Sequence, residues 1–192
     1  QPNKTTGAEP SSPAANNMYY PNGVAVRNGT LWVCDYFHSR VLRFDNAHLI
    51  SSDGPSANGV LGQPNFTSAG LGTSQSEFWG PWGCAVSSGG TLWVSDIGNQ
   101  RILRFDNAAS KGDGSNADGV LGQGDFYTVD ETITASRGGR PNGLCIDNAG
   151  RLWVSYDEHR ILRFDNAASK ANGAAADGVL GQSSFTDITA RT

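Results

Sequence analysis

The sequence predicts an all-β fold of three stacked four-stranded antiparallel units, on three observations. One segment occurs three times, as LWVCDYFHSRVLRFDNA from Leu31, LWVSDIGNQRILRFDNA from Leu92 and LWVSYDEHRILRFDNA from Leu152. Apolar residues alternate within each copy as a pleated strand requires, and no stretch carries a convincing helical period. Turn signals rich in Gly, Asn and Asp separate the candidate strands, and the chain holds 25 glycines.

Residues 1–20 are rich in Pro, Ser, Asn and Ala and read as a connecting segment. Gln1 nevertheless falls in register with Gln63, Gln123 and Gln182, each of which opens a connection, so the segment belongs to the repeat. Unit one spans 21–63, unit two 81–123 and unit three 141–182, joined by connections at 64–80 and 124–140. Residues 183–192 begin a further connection of the same kind.

Within a unit the first strand is GVAV from Gly23, GCAV from Gly83 or GLCI from Gly143. A tight turn leads to the LWV strand, and RVLRFD or RILRFD forms the third. A polar loop then leads to the short fourth strand, GVLGQ, at Gly59, Gly119 and Gly178. A lone meander leaves one face uncovered, so neighbouring units must pack face to face. Trp32, Trp93 and Trp153, with Phe44, Phe105 and Phe164, recur at fixed places and are the predicted packing residues between units. Burying roughly 200 Å² of indole at about 25 cal/mol per Å² is worth on the order of 5 kcal/mol before entropy is subtracted.

These residues carry a resemblance. The pattern PxGVAV, turn, LWVxD, xxxxR, ILRFDNA, followed by ADGVLGQxxF, is similar to the NHL repeat, and it runs from Pro21 to Gln182. The resemblance implies a β-propeller-type array of three blades. It also implies an Asp–Arg pair inside each blade: Asp35 with Arg40, and Asp96 with Arg101. In the third copy Tyr156 replaces the Asp, so Arg160 needs another partner, for which Asp157 and Glu158 are the candidates. NHL-like arrays usually close as rings of about six blades, which removes exposed strand edges. Three blades do not close. Either two chains complete one ring, or the chain is part of a longer one, or copies join head to tail through a heterologous contact, which gives filaments when it fails to close.

Composition narrows the function. With 192 residues and 38% hydrophobic content the chain buries a substantial core, and its net charge of −4 attracts no polyphosphate backbone. Nucleic acid is excluded as an expected partner. No apolar run approaches the roughly 20 residues that span a bilayer, and the N-terminus has no signal-peptide pattern; in a secreted protein the signal has been removed before Gln1.

Catalytic and metal chemistry find no motif. His38, His48 and His159 are not spaced as one metal site, and the loops at Asp53 and Asp113 lack the alternating acidic ligands of a calcium loop. The DNA tripeptides at Asp45, Asp106 and Asp165 recur in every unit and read as turn residues. The resemblance to propeller lyases and lactonases therefore finds no matching residues, and no cofactor is implied. Cys84 is a candidate for an inter-blade disulfide with either Cys34 or Cys145; otherwise all three act as small core residues. Sequons at Asn3, Asn28 and Asn65 are candidate glycosylation sites, with Asn3 and Asn65 at equivalent repeat positions.

The expected function is that of a non-enzymatic, extracellular scaffold, glycosylated and assembling with further copies through open blade edges. The alternative is a half-propeller that closes as a dimer and presents a loop face to a protein or glycan. A propeller enzyme is the third reading, and it calls for symmetry-breaking polar residues at the channel.

Overall fold

The computed structural model describes residues 12–190. Three four-stranded antiparallel sheets follow one another, each a meander in chain order. Blade 1 comprises β1 (Pro21–Arg27), β2 (Thr30–Asp35), β3 (Arg40–Phe44) and β4 (Gly59–Leu61). Blade 2 comprises β5 (Pro81–Val86), β6 (Leu92–Asp96), β7 (Arg101–Phe105) and β8 (Gly119–Leu121). Blade 3 comprises β9 (Pro141–Ile146), β10 (Leu152–Tyr156), β11 (Arg160–Phe164) and β12 (Gly178–Leu180). The helical content of the described residues is limited to single 3-10 turns, at Ala47–Leu49, Ile97–Asn99, Ala108–Ser110 and Ala167–Ser169.

Local chemistry sets these elements. The β1–β2 turn places Asn28 and Gly29 at φ 48° and 79°, the paired positive angles of a type I′ hairpin, which matches the twist of the flanking strands. The repeated DNA tripeptide has a backbone task as well. Its Asn46, Asn107 and Asn166 take φ 50°, 47° and 48° and swing the chain out of the third strand, a conformation that Asn tolerates better than most residues.

Glycines bring the first strands of successive blades together. A Cβ on Gly23 would stand 2.7 Å from the Gly83 Cα, and one on Gly83 would stand 2.5 Å from the Asn142 carbonyl oxygen. A bulge between Pro21 and Val24, repeated in β5, shifts the register at the same place. The first strands thus form the inner side of the array.

Two apolar layers hold the blades together. Trp32, Cys34, Val41 and Leu61 on the trailing face of blade 1 pack on Leu92, Val94, Leu103, Phe105 and Val120 of blade 2. Trp93, Ile102 and Leu121 of blade 2 pack in turn on Leu152, Val154, Leu162 and Phe164 of blade 3. Each junction thus sets the trailing face of one blade on the leading face of the next.

Candidate functional site

The buried charges form one device in each blade. Arg40 Nε lies 2.8 Å from Asp35 Oδ2, and Arg101 Nε lies 2.8 Å from Asp96 Oδ2. Both arginines are fully buried, so every remaining donor must find an acceptor. Arg40 donates to the carbonyls of Ala14, Asn17 and Phe66, and Arg101 to those of Thr73, Ser74, Glu77 and Phe126. One guanidinium thereby ties down both the connection entering its blade and the one leaving it. The partner carboxylates accept the Tyr19 and Trp79 backbone N–H groups at 2.7 Å. Burial holds the Asp96 carboxyl above its usual value, against the pull of Arg101, Asn99 and the Trp79 N–H.

Blade 3 departs from this arrangement. Tyr156 occupies the Asp position, and Arg160 sets its guanidinium over the Tyr156 ring, 5.8 Å from its centroid. Neither Asp157 nor Glu158 takes the missing place: Glu158 accepts the Arg140 backbone N–H, and Asp157 pairs with Arg140 and Asn142. Arg160 Nε, the atom that meets the carboxylate elsewhere, has no hydrogen-bond partner among the described residues. Its other donors still reach the Arg137, Gly138 and Phe185 carbonyls, so the loops remain tied. Burial pushes the Tyr156 phenol well above its usual value and lowers Arg160.

The trailing face of blade 3 repeats residues that the other blades bury. Arg43 donates across the junction to the Lys111 carbonyl, and Arg104 to those of Ala168 and Lys170. Among the described residues Arg163 makes only the contacts within its own blade, to Asp165 and the Asp177 carbonyl, of the kind that Arg43 and Arg104 make as well. Val60 donates its N–H to Asp113 and accepts from the Gly114 N–H of blade 2. Val120 does the same with Asn172 and Gly173 of blade 3. Trp153, Cys145, Ser155 and Ile161 line an open hollow on this face. At the opposite end Met18, Leu31, Val33, Phe44, Ile50 and Pro55 line another, about 220 Å³ in volume.

A third feature lies where the turns of blades 1 and 2 meet the entries to their first strands. Phe37 stacks within 4.5 Å of Tyr19, 4.9 Å of Tyr36 and 5.4 Å of Tyr20, and Tyr36 meets Trp82 edge-on at 5.4 Å. Tyr20, Phe37 and Trp79 remain about half exposed, at 54%, 49% and 49%. The Trp79 indole lies over Gly98 and the Tyr36 ring over Gly80, where a Cβ would stand 2.5 Å and 2.7 Å from them. Repeat symmetry fails here, since blade 3 carries Gly139, Arg140, Asp157 and Glu158 in the corresponding turn positions.

Comparison with known proteins places these parts. The family model described as NHL repeat matches residues 18–44 and 78–105, the two stretches that contain the intact Asp–Arg clamps. The chain carries NHL repeats in blades 1 and 2. No curated protein sequence matches it. Among solved structures it is similar to the hydrazine synthase of Kuenenia stuttgartiensis, at 12% identity and a TM-score of 0.54, over 96% of this chain and 40% of that one. It is also similar to the glutaminyl cyclase of Myxococcus xanthus, at 14% identity and a TM-score of 0.49, over 85% of this chain and 53% of that one. The NHL chain therefore spans about half or less of the structures it matches, and at these identities the likeness to hydrazine synthase is one of fold.

The remaining sequence-predicted positions of the NHL blades divide clearly. Trp32 and Trp93 are buried and Trp153 is half-buried, because no blade among the described residues covers it. Phe44, Phe105 and Phe164 are buried on leading faces. Cys34 and Cys84 are free thiols buried in the same layer at the first junction, where the neighbouring Cys84 thiol, with burial, pushes Cys34 well up. Cys145 is exposed on the trailing face of blade 3, so it neither meets Cys84 nor serves as a core residue.

His38 joins the first clamp, 2.9 Å from Asp35, a place Asn99 takes in blade 2; His48 and His159 are exposed. Among the described residues no three His, Cys, Asp or Glu side chains come together as a metal site. Asn28 and Asn65 are exposed in turns, and the Asn65 side-chain oxygen accepts from Thr67 and Ser68. Asn3 lies outside the described residues. Sequence reading missed the aromatic cluster. Aligning the three copies would have pointed to it, since Tyr19, Tyr20, Tyr36 and Phe37 of blade 1 and Trp79 of blade 2 stand where blade 3 carries Gly139, Arg140, Asp157 and Glu158.

Proposed function

We propose that this NHL chain is a non-enzymatic, extracellular scaffold that assembles with further copies head to tail, the trailing face of blade 3 seating on the leading face of blade 1. The carrying observation is the repeated junction. Arg43 and Arg104, Val60 and Val120, and Trp32 and Trp93 each meet the next blade in the same way, and Arg163, Val179 and Trp153 present the same set with no blade opposite among the described residues. Blade 1 carries the complementary parts in register: Asp53 and Gly54 at the positions of Asp113 and Gly114, beside Leu31, Val33 and Phe44. A contact that offers different faces to its two partners is heterologous and propagates into a filament or closes as a ring of two chains.

The non-enzymatic reading is supported by the engagement of both buried carboxylates, Asp35 and Asp96, in the clamps. Exposed sequons at Asn28 and Asn65 support an extracellular, glycosylated protein; the intact mass of native material would show added hexose. Assembly is tested by light scattering and electron microscopy over a concentration series. Wild type should form head-to-tail chains or a two-chain ring, and Ile161→Arg should leave a monomer of unchanged melting temperature. A wild type that stays monomeric at high concentration defeats the proposal. A second reading, ligand binding on the loop face, is favoured by the aromatic cluster.

A further inference from the structure

The cluster breaks the repeat where nothing in the fold requires it. The Trp79 backbone is held from two sides, its N–H by Asp96 at 2.7 Å and its carbonyl by the Gly98 N–H at 2.9 Å, yet the indole stays half exposed. Both contacts use only the backbone, so they do not call for an indole at this position. A large ring fixed by backbone contacts and left in water forgoes its burial energy, and such patches mark binding surfaces.

Two hollows share Trp79 and Tyr36 as a common wall. One, about 350 Å³, is floored by Phe37, Ala69, Leu71 and Gly80, a size within the range of small-ligand sites. The other is polar and adds Gln100, Glu131 and Arg140. Gln100 Nε2 donates to Glu131 Oε1 at 3.2 Å, while Arg140 Nε stands 3.7 Å from Asp157. The site thus sets flat apolar rings beside a carboxylate acceptor, an amide and a guanidinium donor.

We propose, resting on the loop-face reading above, that this cleft binds a neutral saccharide, with one face of a pyranose ring on Trp79 and its hydroxyls on Glu131, Gln100 and Arg140. A pyranose has a C–H face that packs on an aromatic ring and a rim of hydroxyls that both donate and accept. The mixed wall matches both properties. A quaternary ammonium would sit against the Arg140 guanidinium. A proline-rich segment offers carbonyl acceptors and few donors, which leaves the Glu131 carboxylate unmatched.

The test is titration of the full chain with methyl glycosides of glucose, galactose, mannose and N-acetylglucosamine, read by tryptophan fluorescence and calorimetry. Parallel titrations use a polyproline decamer and tetramethylammonium. At least one glycoside should saturate, with affinity falling about tenfold in Trp79→Ala and recovering partly in Trp79→Phe. Glu131→Gln should weaken the same glycoside with no change in melting temperature. Binding of only the decamer or the ammonium ion, lost in Trp79→Ala, overturns the saccharide and leaves loop-face binding standing. Glycoside binding insensitive to Trp79 and Glu131, or no binding by any of the three, overturns the cleft as the site.

Discussion

Blades 2 and 3 share the segment RILRFDNAASK almost in full context, yet their trailing faces have different fates. Trp93 is 1% exposed, Ile102 0% and Leu121 2%, whereas Trp153 is half-buried, Ile161 38% exposed and Leu180 51%. The side chains and the strand register are the same, and only the neighbour differs. Burial in a repeat protein belongs to the junction and not to the residue, so stability is close to a sum over blades and their interfaces.

The strongest way to break this comparison is to truncate the same residue in both blades. Trp93→Ala opens a cavity between two packed sheets and should cost about 3–5 kcal/mol. Trp153→Ala removes a ring that is already partly in water and should cost about 1–2 kcal/mol in the isolated chain. Denaturant midpoints at matched slope measure both, and equal losses would show that the third trailing face is covered in solution.

The clamps sharpen the same contrast. Asp96→Ala leaves Arg101 buried without its carboxylate and should cost about 3 kcal/mol. At the equivalent position Tyr156→Phe removes a hydroxyl that has no partner among the described residues, and should change stability by less than about 0.5 kcal/mol. Chemical denaturation of both variants checks the pair. A severe Tyr156→Phe would mean that the phenol oxygen is engaged after all.

How much of this was legible beforehand follows from what repetition encodes. The twelve strands and the packing role of Trp32 and Trp93 repeat in sequence and were readable from it, and the Asp35–Arg40 and Asp96–Arg101 pairs followed from the resemblance to the NHL repeat. The exposure of Trp153 and Cys145 was not, because it depends on what stands opposite that face among the described residues and not on any local pattern. The loop at Asp113 showed in sequence only that it lacks a calcium pattern, while Asp113 accepts the Val60 N–H of the blade before it, a contact no local pattern encodes. The aromatic cleft joins Tyr36 to Trp79, Trp82 and Arg140, residues far apart in the chain that meet only because successive first strands lie side by side. Arg160 lost its carboxylate in a visible substitution, but its stacking on Tyr156 depends on ring placement that spacing alone does not give.

The smallest expected effect separates the blades by acid. In the turn before β10, Asp147 is held well below the ordinary carboxylate range, first by the Trp153 indole N–H at 3.1 Å and then by the Arg151 and Ala149 N–H groups. Asp125, Asp130 and Asp177 are lowered too, chiefly by hydrogen bonds from neighbouring N–H, hydroxyl or ammonium groups. A carboxylate lowered by folding stabilises the native state fully above its unfolded value of about 3.9, and that contribution is lost as pH falls through the folded value. Asp96 acts in the opposite sense. Raised by burial, it favours the native state fully below about 3.9 and loses that contribution as pH rises through its folded value. The melting temperature should therefore change little or rise slightly on acidification towards pH 4, then fall below it. Asp147→Asn should make the fall shallower while leaving the profile above pH 4 in place. A profile parallel to wild type below pH 4 would remove Asp147 from the acid response and leave the other three carboxylates to account for it.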